Sequence, residues 1–176
     1  VTVALQEKVI ESVGGFSEES VRALSAARNE PDWMLQFRLD AWQTFESIPW
    51  PKNTDESWRR TNLVGFDLSN FEPFAEPSEN ATLNPFIQEE LADMESAASL
   101  VFQDGTTIHS DLTEDLAGKG VIFADLQTAV NEHAHLVQQH FMTRVVKPDL
   151  NKFAALHAAL WDTGAFVYVP KNVKVD

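Results

Sequence analysis

Residues 31–48 spell a helix with a narrow polar stripe, and that pattern leaves few folds open. Gln36, Asp40, Gln43 and Ser47 recur at helical spacing along one line. Trp33, Met34, Leu35, Phe37, Leu39, Ala41, Trp42, Phe45 and Ile48 cover most of the remaining circumference. Such a helix has to be enclosed by protein on more than one side. Pro31 suits the first turn, where its missing N–H would be unpaired anyway, and Asn29 stands upstream as the expected N-cap. Arg38 interrupts the apolar arc: its helical neighbours Met34, Leu35, Ala41 and Trp42 are all apolar. A guanidinium there must be paired and hydrogen-bonded. The expectation is a buried Arg38, its stem against Trp42 and Met34, bonded to a carboxylate or to carbonyls of another segment. No glycine-rich loop or second cation accompanies it, so a helix-docking role is the stronger reading and anion binding the weaker. Arg59 and Arg60, beside Thr61, are expected to dock in a similar way.

The rest of the chain divides by pattern. Residues 1–62 read as a helical N-terminal region, with Ser17 capping a helix that faces inward through Val21 and Leu24 and ends near Asn29. Pro49 and Pro51 stop the long helix, and Asp55–Arg59 predicts a short helical turn. Residues 63–97 form an acidic, proline-containing linker with room for a short helix. Between Phe71 and Pro85 periodicity is lost, so a loop or a disordered stretch is expected. Residues 98–176 read as mixed helix and strand. Two β-prone runs, 99–103 and 106–109, flank Asp104-Gly105, a hairpin signal. A strand is expected at 120–123, one helix over Leu126–Phe141, another over Leu150–Trp161, and a strand over Ala165–Pro170. Asn172–Asp176 leads into what reads as a further strand. The fold class is α+β.

Charge excludes several functions. The chain has 13 basic and 27 acidic residues, a formal charge of −14, and no Lys or Arg lies between Arg60 and Lys119. Such a field repels phosphate backbones and anionic headgroups, so neither nucleic acid nor a membrane is an expected partner. No apolar run approaches the roughly 20 residues that span a bilayer, and a cytoplasmic location is expected, or a plastid stroma in a plant or alga. The Asn80-Ala-Thr82 sequon then arises by chance. There is no cysteine, so these residues offer no thiolate to a metal or cluster.

No constellation announces chemistry. His133, His135 and His140, with Glu132 alongside, invite a metal reading, but ligands on one helix normally lie three or four residues apart. A solvated helix is the stronger reading. Glu89-Glu90 and Glu114-Asp115 sit in strongly polar surroundings, where nothing shifts a carboxyl toward acid–base work. Trp33, Trp42, Trp50 and Trp58 read as core residues rather than a ligand box, with Trp50 exposed between its prolines. No phosphate-binding, nucleophile-elbow or zinc-helix motif occurs. No catalytic, cofactor-binding or metal-ligating residue is assigned; no cofactor is expected.

The chain nevertheless resembles a known family. Asn29–Trp42, then Ser57-Trp-Arg-Arg-Thr-Asn-Leu63, then Lys152-Phe-Ala-Ala-Leu-His-Ala-Ala-Leu-Trp161 with Gly164-Ala-Phe-Val-Tyr-Val-Pro-Lys171, is similar to the N-terminal region of SufD-type iron–sulfur cluster assembly proteins. The likeness runs from about Ser17 to the C-terminus. SufB-type proteins share the Asn-Glu-Pro helix, whereas the Trp58–Thr61 block favours the SufD type. The resemblance implies a non-catalytic scaffold subunit that works with SufB-type and SufC-type subunits, the latter an ATPase. It also implies that a parallel β-helix and a helical region follow, and that the cluster-associated and ATPase-contacting residues lie there. The expectation is thus an N-terminal fragment ending at the start of a β-helix, a separately encoded short protein being the alternative. A stand-alone acidic protein-interaction module is the rival function, and a histidine-dependent hydrolase or metal enzyme a distant third.

Overall fold

The computed structural model describes residues 15–74, 82–103 and 105–175. Its helices are α1 (Glu18–Ala27), α2 (Asp32–Ser47), α3 (Pro85–Asp93), α4 (Glu114–Gly118), α5 (Leu126–Glu132), α6 (Ala134–His140) and α7 (Lys152–Leu160). Its strands are β1 (Ala98–Gln103), β2 (Thr106–Leu112), β3 (Ile122–Asp125) and β4 (Ala165–Tyr168). This is an α+β chain. It forms two compact units, each assembled from two stretches of sequence: residues 15–74 with 139–161, and 82–138 with 162–175. Pro77, Asn80 and Asp104, which figure in the linker, the sequon and the hairpin turn, fall outside the described residues.

The first unit is helical. Ser17 caps α1 through a reciprocal bond with Ser20: each side chain accepts the other's backbone N–H, at 3.1 and 3.0 Å. Val21 and Leu24 face inward, as their spacing predicts. Asn29 has a different task from the one its position suggested. Its φ of 50° is left-handed, its N–H donates to the Ala26 carbonyl, and the Glu30 N–H reaches back to Ser25 at 3.1 Å. Those two bonds close a Schellman turn, so Asn29 ends α1, and Pro31 occupies the N-cap position of α2 with no side-chain cap. Gln36, Asp40, Gln43 and Ser47 are all exposed along α2. Leu39, Ala41, Trp42 and Phe45 meet Val21 and Leu24 of α1 and Ala155, Ala158, Ala159 and Leu160 of α7 in one apolar cluster. The alanines of α7 let the helices approach closely. Trp42 is buried, Trp33 and Trp58 are half-buried, and Trp50 is 43% exposed. Residues 52–61 turn through successive bonds, from Asp55 to Lys52, Trp58 to Asp55 and Thr61 to Trp58, without forming a helix. Asp67 caps a short 3-10 turn, and the Ser69 N–H it accepts holds its carboxyl below the usual 3.8.

The second unit holds two antiparallel pairs. β1 and β2 form the expected hairpin, with Gln103 opposite Thr106, a bulge at Val101/Phe102, and Gly105 at φ 81° in the turn. β3 pairs with β4, Ile122 opposite Tyr168 and Asp125 opposite Ala165. Leu116, Val121, Ala129, Val130 and Val137 are its buried apolar residues. Two expectations fail here. The single helix over 126–141 is broken at His133, whose φ of −123° and ψ of 31° leave the helical region. Thr128, Val130, Asn131 and His133 are weak helix formers, and the apolar periodicity running through them hides that weakness. Residues 172–175 also form no strand: Asn172 takes a left-handed φ of 67°, and the Val173 N–H bonds the Pro170 carbonyl in a turn.

Candidate functional site

The most constrained polar arrangement is a pair of cations shared between α2 and α7. Arg38 is fully buried, as is the carboxylate it meets. Its Nε donates to Glu30 Oε2 and its Nη2 to Glu30 Oε1, both at 2.7 Å, the two-pronged geometry that a planar guanidinium allows. Its Nη1 donates to the carbonyls of Ala159 at 3.0 Å and Trp161 at 2.9 Å. The Trp161 ring lies over the guanidinium, 4.4 Å from centroid to Cζ. The last carbonyls of a helix lack intrahelical partners and carry partial negative charge. Arg38 therefore caps the C-terminus of α7.

Lys152 returns the favour. It stands at the first position of α7, where Asn151 accepts the Ala154 N–H as N-cap. From there its ammonium donates to the carbonyls of Phe45 at 2.6 Å and Ile48 at 2.7 Å, the C-terminus of α2. The rings of Phe45 and Trp50 lie 4.1 and 5.0 Å from Nζ. Burial pushes the Lys152 ammonium below its ordinary 10.5, and Glu46 partly opposes the shift. The two helices run antiparallel, and each lends the other a cation at its negative end.

The expectation for Arg38 holds in full as to burial and partners. Lys152 was missed. Its signal was a cation in the first turn of a helix, where the macrodipole disfavours one unless the side chain reaches something else. Arg59 and Arg60 do not share the docking role. Both are exposed, and Arg59 pairs with Glu56 three residues earlier at 3.2 Å, a surface bridge of small worth.

The remaining candidates disperse. His135 and His140 are exposed, His133 is half-buried at the break between α5 and α6, and no group of three His, Asp or Glu side chains gathers at ligating geometry among the described residues. Glu89 and Glu90 are exposed on α3. Glu114 and Asp115 occupy the first turn of α4, where acids complement the dipole, and Asp115 pairs with Lys119. Among the described residues no helix is long and apolar enough to cross a membrane. A shallow groove beside α2, lined by Phe37, Asp40, Thr44, Met142, Lys147 and Asp149, gathers no convergent polar set. Protein acceptors engage every nitrogen of the Arg38 guanidinium and hold the Lys152 ammonium through two carbonyls. The chemistry of this clamp is that of a fastener, which agrees with the docking reading of Arg38.

Comparison with known proteins identifies the region. The family model for the SufBD protein N-terminal region matches residues 18–176. The iron–sulfur cluster assembly protein SufD of Bacillus subtilis (strain 168) is 36% identical over 164 residues, which cover 90% of this chain and 36% of that protein. An iron–sulfur cluster assembly SufBD family protein of Mycobacterium bovis is 36% identical over 176 residues, 92% of this chain and 20% of its own length. One from Staphylococcus saprophyticus is 32% identical over 181 residues, 96% of this chain and 37% of its own. The chain spans little more than a third, or less, of the curated relatives it matches. With Glu30, Arg38 and Lys152 inside the matched region, the chain belongs to the SufBD family and carries that family's N-terminal region.

Proposed function

We propose that this chain is the N-terminal region of a SufD-type, non-catalytic scaffold subunit of a SufBCD-type iron–sulfur cluster assembly complex. The observation that carries the reading is the family match over residues 18–176, with relatives named as assembly proteins. The burial of Arg38 and Lys152 and their bonds to Glu30 and to helix-end carbonyls support a structural rather than a catalytic part for these residues. With no cysteine in the chain, cluster ligation by thiolate belongs elsewhere in the complex. The partners are SufB-type and SufC-type subunits of the full-length protein, engaged through a β-helix and helical region beyond these residues, and the setting is the cytoplasm.

Co-expression of the full-length gene product with the SufB-type and SufC-type proteins of the same organism tests the reading. A stable ternary complex is expected, together with loss of cluster-dependent aconitase activity in cells lacking the gene. Separate elution of the three proteins and undiminished aconitase would refute it. Residues 1–176 alone are expected not to retain the SufC-type subunit at physiological salt, and to touch the SufB-type subunit weakly, through acidic surface, in a way that added salt abolishes. Retention of the SufC-type subunit would move its contact into this region. The acidic balance of −14 favours one rival, a stand-alone interaction module. A gene encoding far more than 176 residues decides against that rival.

A further inference from the structure

Helix α3 is well started and poorly held. The Asn84 side chain accepts the Phe86 N–H at 2.9 Å, and Pro85 fills the first helical position. Yet no residue of α3 is buried. Phe86 is 65% exposed and Met94, at its end, 58%; Ile87 is exposed as well, and Leu91 half-buried. At nine residues it is shorter than the roughly 12–15 at which even good sequences become more than marginal alone, and most helices draw their stability from packing. At 100° per residue Phe86, Ile87, Leu91 and Met94 fall in one arc, while Glu89 and Asp93 flank it on one side. Glu90 interrupts the arc between Phe86 and Met94, Glu95 follows, and no Lys or Arg occurs from residue 61 to 118.

The sign of that charge selects what covers the apolar arc. Helices that lie in a bilayer surface carry Lys and Arg beside their apolar face, and four acids would be repelled by anionic headgroups. A second copy of a chain with a net charge of −14 brings like charge to the contact. A protein groove with an apolar floor and a Lys/Arg rim meets both faces of the helix at once. We infer that α3 is a docking helix, seated through Phe86, Ile87, Leu91 and Met94 in an apolar, basic-rimmed groove of a different protein. This rests on exposure and charge and is independent of the cluster-assembly reading.

Photo-crosslinking in the cell of origin tests it, using the full-length protein with p-benzoylphenylalanine at Phe86, at Met94 or, as a control, at Val145, which is 92% exposed in the other unit. Positions 86 and 94 are expected to join the same foreign protein, through a peptide in which Lys or Arg flanks apolar residues, and position 145 is not. That protein, purified, should bind the full-length chain about tenfold or more weakly after Phe86→Asp/Met94→Asp. Glu89→Lys/Glu90→Lys/Asp93→Lys should weaken it too, by a factor that shrinks as NaCl rises from about 50 to about 500 mM. Because Phe86, Glu89, Glu90, Asp93 and Met94 are all exposed, both variants should keep the wild-type melting temperature, which separates lost docking from lost folding. An intrachain crosslink, a homodimer, lipid adducts, no adduct, or a partner indifferent to charge reversal would each overturn the inference.

Discussion

At the scale of single residues, Glu30 and Arg38 are the costliest pair to disturb. Both side chains are withdrawn from water, so removing one strands the other in a low dielectric. Arg38→Ala is expected to destabilise the first unit by about 3–5 kcal/mol, and Arg38→Lys to fall short of rescue because an ammonium lacks the planar fork. Glu30→Gln with Arg38→Met should cost less than the two single changes summed, a coupling that urea titration of the four proteins measures. Lys152 gives a pH signature. Its folded pKa lies below 10.5, so between that lowered value and 10.5 the unfolded chain binds more protons than the folded one. The residue therefore makes stability rise with pH through that window, and a neutral amine still has N–H groups for the Phe45 and Ile48 carbonyls. The stability difference between wild type and Lys152→Met is expected to move in the wild type's favour from pH 8 toward 10.5. A difference that falls instead would mean that the carbonyls and rings hold the charge more strongly than burial opposes it. Arg38 was legible because every helical neighbour is apolar; the identity of Glu30 was not, since the Schellman turn that delivers it is a matter of backbone geometry.

At the scale of elements, periodicity proved a good guide to which helices exist and a poor guide to where they stop. α1, α2 and α7 follow their apolar spacing, and the hairpin follows its β-prone runs. Their limits were set by local backbone events: Asn29 in left-handed geometry, the departure at His133, and the turn at Asn172. Asn29 offers the cleanest check. Glycine adopts its φ of 50° without strain, whereas a Cβ without a polar side chain does not. Asn29→Gly should leave the melting temperature near wild type and Asn29→Ala should cost about 1 kcal/mol, read by thermal denaturation. Equal effects of the two would show that the turn does not depend on left-handed geometry.

At the scale of the whole molecule, what escaped the sequence is the interleaving of the units. Contiguous stretches of similar composition suggested consecutive regions, yet α7 completes a core begun by α1 and α2, more than a hundred residues earlier. Two features favour that return: alanines that let α7 come close, and two cations that tie its ends to α2. A chain shortened to residues 1–138 should therefore leave the first unit unfolded, with tryptophan emission shifted to the red and dispersed amide signals lost. Native-like emission from that fragment would show that α1 and α2 make a sufficient core without α7. The candidate site was only partly legible for the same reason: half of the clamp is Lys152, whose partners lie 104 and 107 residues away.

That separation has a consequence in time. Glu30 and Arg38 are eight residues apart and meet as soon as α2 forms, but the carbonyl of Trp161 is 123 residues further along. At about 5–20 residues per second, a ribosome needs roughly 6–25 s to make the intervening chain. For all of that interval the enclosed faces of α2 stand without the helix that covers them. A nascent chain of this family is thus an expected client of ribosome-associated chaperones, and its vulnerable period closes only when α7 clears the exit tunnel.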